Sequence, residues 1–422
     1  MVGGCGVIEP AWRGAPILVA GIGADGWGGL GPGVRAELAA CTVLFGSARQ
    51  LELVPAGEVP ARRVAWPSPL LPALPGLLAA HAAARIGVLA SGDPMFFGIG
   101  STLAGLFGPE ALLVRPQPSS VALACARLGW AAQEIPVVSA VGRPVQTVLP
   151  ELTDGRRILV LSADGGTPES LAKLLRENGF GGSTLTVLEQ LGGPAEARRT
   201  GTAAGWPHPA CDPLNIVAVE AVADAGHLRL TRTPGLPDAV FGGDGQFTKA
   251  EIRALTLAAL APAPGELLWD VGGGSGTIAI EWCRAHPSCR AVTFEQRADR
   301  RAQIAANAGA LGVPGIAVRG AAPDFQPADG TPDAVFVGGG ITQPGLLEAC
   351  WAALPPGGRL VAAAVTAESE SLLLANSRRY GGTLRRYQVY RGTPLGGFTT
   401  WSPQLPVTHW AVRKSRESPA GS

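Results

Sequence analysis

The stretch Trp269-Asp270-Val271-Gly272-Gly273-Gly274-Ser275-Gly276-Thr277, WDVGGGSGT, decides how the second half of this chain folds. It joins an apolar run at 266–271, read as a strand, to a helical pattern at 275–285. The chain must reverse sharply there, let a ligand lie against bare backbone, and pack the helix on the strand. Glycine meets all three demands because it lacks a Cβ. The next apolar run, 290–295, ends in Glu295, whose carboxylate can accept from both hydroxyls of a ribose. Such a series binds an adenosine-bearing ligand. On this turn alone, a nicotinamide dinucleotide and a plain structural loop both remain open.

The surrounding segments narrow the choice. Asp270 directly precedes the glycines, PDAVFVGGG (332–340) places a strand end at the same crevice, and LPPGGRLV (354–361) turns into another strand. Helices are predicted at 298–311 and 346–353, and strands at 316–319, 333–337, 359–365, 383–390 and 406–412. This set resembles a class I methyltransferase, which implies S-adenosylmethionine as the donor. The flanks FGGDGQFTKAEIRALTLAAL (241–260) and RGAAPDF (319–325) resemble the decarboxylating precorrin methylases that act at carbon 15. That resemblance spans about 241–412. It implies a donor site built from Thr248, Asp270, Gly272, Gly273, Gly274, Ser275, Gly276, Glu295, Ala321 and Ala322. The family writes a serine into the turn after its fourth strand where this chain has GGGIT (338–342), so contacts there stay open. Lys249 and Arg253 lie one turn apart on a predicted helix. They meet substrate carboxylates or merely solvate the helix.

A second glycine turn, GIGADG (21–26), follows a strand at 16–21 in the first half. No helix follows at once, and Gly28 and Gly29 lengthen the loop, so a dinucleotide fold is a poor match. Downstream, a strand ends at SGDP (91–94), and RPQPSS (115–120) opens a helix that a serine can cap. The remaining pattern alternates strands (42–46, 85–90, 111–115, 135–139, 157–162, 184–189, 215–220) with helices (32–40, 99–106, 119–128, 168–178). The last helix has Thr167 as its predicted cap. GADGWGGL, SGDPMFFGIGSTL and SADGGTPESLAKLL (162–175) together resemble the tetrapyrrole methylases, specifically those acting at carbon 5 of the corrin ring. The resemblance spans about 16–225, with Leu30 followed by Gly31 where the family writes threonine. It implies a second, unrelated donor site from Gly21, Ile22, Gly23 and Ala24, from Gly92, Asp93, Pro94 and Phe96, from Ser119 and Ser120, and from Leu161.

The expected fold class is α/β throughout: a tetrapyrrole-methylase fold of two α/β subdomains at 15–232, then a class I Rossmann-like methyltransferase fold at 238–413. Prolines and glycines in LRLTRTPGLPDAVFGG (228–243) mark the break. The paired resemblances imply a methylase of corrin biosynthesis with a precorrin as substrate. The first half would methylate carbon 5; the second would methylate carbon 15 and decarboxylate the ring C acetate. A cobalt-loaded substrate, a nicotinamide cofactor in the second half, and a first half that only docks the second are the competing readings.

Composition sets limits. A net charge of +1 over 422 residues gives no basic field for nucleic acid. Lysine occurs only at Lys173, Lys249 and Lys414, so arginine is the main partner available to carboxylates. Seven dispersed cysteines with no C-x-x-C pair fit a reducing cytoplasm and form no zinc pattern. The N-terminus lacks the layout of a signal peptide, and proline, histidine or arginine interrupts each long apolar run before membrane length. Loose tails are expected at 1–14 and 413–422. His81, His208, His227, His286 and His409 are isolated, with His409 structural in an alternating strand. No metal site or catalytic triad is expected. Arg378, Arg379, Arg385 and Arg386 read as a solvated face. Both resembled families self-associate, which implies a homo-oligomer.

Overall fold

The computed structural model of the chain describes residues 12–415. Cys5 and most of both tails lie outside the described residues. The chain divides into two compact units: residues through Val145 together with Asp154–His227, and Gln146–Thr153 together with the chain from Leu228 onward.

The first unit holds two five-stranded sheets. Its elements run β1 (Ile17–Ile22), α1 (Pro32–Ala39), β2 (Val43–Gly46), α2 (Ala48–Glu52), β3 (Arg62–Ala65), α3 (Leu74–Ala79), β4 (Ile86–Ser91), α4 (Ile99–Phe107), β5 (Leu112–Arg115) and α5 (Ser120–Leu128). Then follow β6 (Val137–Ser139), β7 (Arg157–Leu161), α6 (Thr167–Glu177), β8 (Thr184–Glu189), β9 (Ala197–Thr202) and β10 (Asn215–Glu220). The first sheet is fully parallel in the order β3-β2-β4-β1-β5. Helices cover both faces of such a sheet, so its central strand is apolar without alternation, and every residue of β1 is buried. The second sheet, β6-β7-β10-β8-β9, is parallel only at β6–β7. Thr167 does not cap α6. It is the first helical residue, and its hydroxyl accepts from the Ala163 and Asp164 nitrogens of the preceding turn.

The second unit runs α7 (Ala250–Leu260), β11 (Leu267–Val271), α8 (Thr277–Ala285), β12 (Arg290–Phe294), α9 (Ala298–Ala310), β13 (Ala317–Arg319), β14 (Ala334–Val337), α10 (Leu346–Ala353), β15 (Arg359–Ala364), α11 (Ala367–Tyr380), β16 (Thr383–Tyr387), β17 (Tyr390–Leu395), β18 (Phe398–Pro403) and β19 (Val407–Arg413). One seven-stranded sheet, β13-β12-β11-β14-β15-β19-β16, organises it. The strands from β13 to β15 are parallel, and β19 runs antiparallel between β15 and β16. Alternate residues of the central strands point to two separate cores. Leu268, Ala291 and Phe336 pack with α7 and α8 on one face; Trp269, Val292 and Val335 pack with α10 and α11 on the other. That division makes the sheet doubly wound.

The segment 228–243, read as the break between the two domains, falls within this second unit. Leu236 and Phe241 are buried in the same core as Ile278 and Trp282. Late in the chain, the strand expected at 383–390 stops at Tyr387, and a separate hairpin, β17–β18, rises before β19. Its turn is Gly396-Gly397, with Gly396 at φ +58°.

Candidate functional sites

In the second unit the functional segments meet where the parallel strands end. β11 delivers Asp270, and the backbone reverses at Gly272, whose φ is +73°. Gly338, directly after β14, donates to the Val271 carbonyl at 2.9 Å. Glu295 follows β12 and holds the glycine turn in shape. Its Oε2 accepts from the Gly274 nitrogen and its Oε1 from the Arg297 nitrogen, both at 3.0 Å. A carboxylate has about four lone-pair sites, so acceptor capacity remains for a ligand.

These segments wall a cavity of about 720 Å³. Thr248, Lys249, Asp270, Gly272, Gly273, Gly274, Glu295, Ala321 and Ala322 all line it. Ser275 and Gly276 do not. Ser275 is buried behind the turn, where its carbonyl accepts from Asn307 at 2.9 Å, and Gly276 caps α8. Arg391, Gln404 and Leu405, from the ends of the hairpin, complete one wall. That wall was absent from the sequence reading, although YRGTPLGGFTTWSP carries a usable hairpin signal, two extended runs around a Gly-Gly turn.

Lys249 and Arg253 part ways. Lys249 is part-exposed on the cavity wall; its Nζ donates to the Gly245 carbonyl and sits 4.4 Å from the centre of the Phe247 ring. Arg253 is 0% exposed and has no role open to it at the cavity. Its guanidinium pairs with Glu281 and Asp238, each at 2.8 Å, and donates to the Thr248 and Leu236 carbonyls. Glu281 also accepts from the Gly235 and Leu236 nitrogens, so the cluster pins the chain before α7 onto α8. Breaking a buried pair leaves an uncompensated charge. Arg253→Ala therefore destabilises the second unit by about 3–5 kcal/mol in urea unfolding. A variant of unchanged stability with only a raised substrate KM contradicts this assignment.

Two buried titratable groups of the second unit, Asp270 at the cavity and His409 within β19, shift with opposite signs. Burial drives the Asp270 carboxyl up to about 7, opposed by the Ala279 nitrogen that donates to it and helped by nearby Glu295. Burial, then Arg385, drives the His409 imidazole down to about 4; neither of its ring nitrogens has a hydrogen-bond partner among the described residues. A raised acid favours the folded state below the unfolded value and loses that contribution as pH rises from about 4 to 7. A depressed base does the reverse, contributing more as pH rises from about 4 to 6.5. Each is worth roughly 3–5 kcal/mol across its window, so the two largely offset each other. Asp270→Asn should leave a stability that climbs between pH 4 and 6.5, and His409→Leu one that falls between pH 4 and 7. Urea midpoints measured across that range check both; parallel curves for the two variants contradict the assignment.

The first unit shows a different construction. Its three motifs sit at the ends of adjacent strands β4, β1 and β5. Gly92 donates to the Ile22 carbonyl and accepts from the Gln117 nitrogen, each at 3.2 Å, which ties the three together. Gly21, Ile22, Gly23 and Ala24 therefore stand beside Gly92, Asp93 and Pro94, with Ser119 and Ser120 opening the next helix. The Asp93 carboxylate accepts from the Met95 nitrogen at 2.9 Å, and Ser119 caps α5 through the Ala122 nitrogen at 3.1 Å. Phe96 is exposed beside Phe97. Leu161 ends β7 in the second sheet; its carbonyl accepts from Ala140, and its side chain packs on the core that includes Val121 and Ala124 of α5. A loop of that second sheet reaches the glycine turn, since a Cβ built at Gly193 would lie 2.7 Å from that of Ala24.

Elsewhere, among the described residues, no group of three or more histidine, cysteine or acidic side chains is placed to hold a metal ion, and no helix is long and apolar enough to cross a membrane. The six described cysteines are free. Arg379 and Arg386 pair with Glu348 and Glu370 on an exposed face.

Strand order, glycine turn and the acid after β12 define the second unit as a class I methyltransferase fold. A family model for the precorrin methyltransferase domain matches residues 239–414, and one for tetrapyrrole (corrin/porphyrin) methylases matches residues 16–205. A precorrin-6Y C(5,15)-methyltransferase (decarboxylating) from Mycobacterium tuberculosis is 52% identical over 94% of this chain and 100% of its own length. One of the same name from Sinorhizobium sp is 46% identical over 96% of this chain and 98% of its own. A probable cobalt-precorrin-6B C(15)-methyltransferase (decarboxylating) from Pyrobaculum aerophilum is 36% identical over 42% of this chain and 93% of its own. The chain belongs to the family of precorrin-6Y C(5,15)-methyltransferases, decarboxylating methyltransferases of corrin-ring biosynthesis.

Proposed function

We propose that this chain transfers two methyl groups from S-adenosylmethionine to one precorrin macrocycle, at carbons 5 and 15, and removes the ring C acetate carboxyl as carbon dioxide. Residues 238–413 take carbon 15 and the decarboxylation; residues 15–232 take carbon 5. The observation behind the division is that each unit has its own glycine turn at the end of a parallel sheet, built on a different topology.

The second-unit cavity fits the donor. Gly274 presents open backbone, since a Cβ there would meet only the Gln246 carbonyl at 3.7 Å. Glu295 offers a carboxylate for ribose hydroxyls, and Thr248, Ala321 and Ala322 supply close walls. When bound, the donor supplies a methyl group already activated on a sulfonium. The protein's tasks are then to fix the ring carbon in line with that methyl and to exclude water. Alignment of this kind is worth roughly 7–11 kcal/mol of barrier. Lys249, which has no carboxylate partner among the described residues, is the wall cation suited to a macrocycle carboxylate. In the first unit, Gly21, Gly23, Gly92 and Asp93 form the corresponding cradle. The exposed hairpin side chains Leu395, Phe398 and Trp401, at 63, 83 and 70% exposure, support self-association of the chain.

Glu295→Ala tests the ribose assignment. Loss of charge-assisted hydrogen bonds should weaken S-adenosylhomocysteine binding at the second-unit site by about 10–100-fold. In calorimetry on the full chain, the first-unit site should bind as before. Unchanged affinity at both sites overturns the assignment.

A further inference from the structure

Several other arginines of the first unit are accounted for. Arg115 pairs with Glu37 at 2.6 Å, Arg127 with Glu196 at 2.5 Å and Arg199 with Glu189 at 2.9 Å. Arg63 donates to the Leu51 and Val54 carbonyls. Arg49 is different. It lies in the first turn of α2, which a reciprocal Ser47–Gln50 capping box holds rigidly. Its Nη2 donates to the Ser91 hydroxyl at 3.0 Å, and Gln50 donates to the same hydroxyl at 3.0 Å. No carboxylate lies within ion-pair distance of Arg49 among the described residues. Asp212 is near enough to be felt electrostatically but makes no ion pair with Arg49; its oxygens accept from Gln190 and Leu214. Burial outweighs that attraction and lowers the guanidinium's pKa from its usual value. A half-buried cation, pre-positioned by its neighbours and left without an anion, is suited to take one from a ligand.

Its position indicates which ligand. Ser91 ends β4 and immediately precedes Gly92 and Asp93. The donor motifs occupy β4, β1 and β5, whereas Arg49 arrives from β2, on the other side of β4. The loop after Pro94 presents Met95, Phe96 and Phe97 to solvent, with Phe97 in the left-handed region at φ +51°. A non-glycine residue held there while three large apolar side chains stay exposed points to a surface kept for a ligand. A flat apolar ring bearing carboxylates matches a cation beside an apolar ledge.

We propose that Arg49 binds a side-chain carboxylate of the macrocycle in the first-unit site, placing the ring beside the Gly92-Asp93 turn. This rests on the reading that the first unit methylates carbon 5. The donor's own amino-acid carboxylate is the other anion of the same chemistry, and the experiment separates the two. Full-length wild type, Arg49→Ala and Arg49→Lys are compared for carbon-5 methylation of the precorrin by product mass, and for S-adenosylhomocysteine binding by calorimetry. Arg49→Ala should raise the KM for the macrocycle about 10–100-fold with kcat within about threefold. Donor-product affinity should be unchanged, and Arg49→Lys should recover part of the loss. Esterifying the macrocycle carboxylates should erase the difference between wild type and Arg49→Ala.

An unchanged KM with active wild type overturns the role of Arg49 alone. A fall in donor-product affinity overturns the choice of macrocycle in favour of the donor carboxylate. Wild type that leaves carbon 5 unmethylated overturns the reading of the first unit, and the proposal with it.

Discussion

Gly272→Ala is expected to lower carbon-15 methylation and decarboxylation of the ring C acetate by at least about 100-fold while carbon-5 methylation continues. Two effects add. The residue sits at φ +73°, where a side chain costs about 1–2 kcal/mol. The new Cβ would also lie 2.6 Å from the Gly339 nitrogen and 2.7 Å from its Cα. Those are backbone atoms of the neighbouring turn and have no rotamer to change. Relief requires the β11 turn to part from the β14 turn, which reshapes the cavity wall on both sides. The check is the product's mass: one added methyl, with the carboxyl retained, is the predicted outcome. A doubly methylated, decarboxylated product at normal rate contradicts it.

Gly21→Ala is the matching experiment in the first unit, with a different cause. Gly21 is in ordinary strand conformation, so no backbone strain arises. The difficulty is space: its Cβ would overlap the Gly92 carbonyl oxygen and lie 2.8 Å from the Gln117 nitrogen. These are the atoms that join the ends of β1, β4 and β5. Accommodating the methyl pulls the three motifs apart, and overpacking of this kind costs about 1–3 kcal/mol before any loss of ligand contacts. Carbon-5 methylation should fall about 100-fold with carbon-15 chemistry intact. Equal loss of both activities would mean that the two sites are not independent.

The sequence disclosed the turns and concealed the partners. Glycine demands are local, so WDVGGGSGT, GIGADG and SGDP were legible from their own neighbours. The same holds for β8 and β10, whose apolar runs are bounded by turn residues. Arg253 was not legible. It lies on the helix expected to approach the site, and only the fold reveals that Glu281, some thirty positions on, and Asp238 consume it. Ser275 followed the same course: it belongs to the turn by sequence, yet it is buried behind it, with its backbone carbonyl bonded to Asn307. The edge strands β3 and β9 escaped because RRVA and ARRTGT, respectively, lack an apolar pattern. The hairpin escaped for a related reason, since its alternation leaves apolar side chains in solvent and not in a core. Arg49 has no motif at all. Its meaning lies in what the fold withholds from it, an anion.

Calorimetric titration of the full chain with S-adenosylhomocysteine tests the central claim most directly. Two independent sites per chain are predicted, with Gly21→Ala and Gly272→Ala each reducing the count to one and the double variant to none. A single site in the unmodified protein, lost on changing either glycine alone, would contradict a chain that holds the same donor in two separate folds.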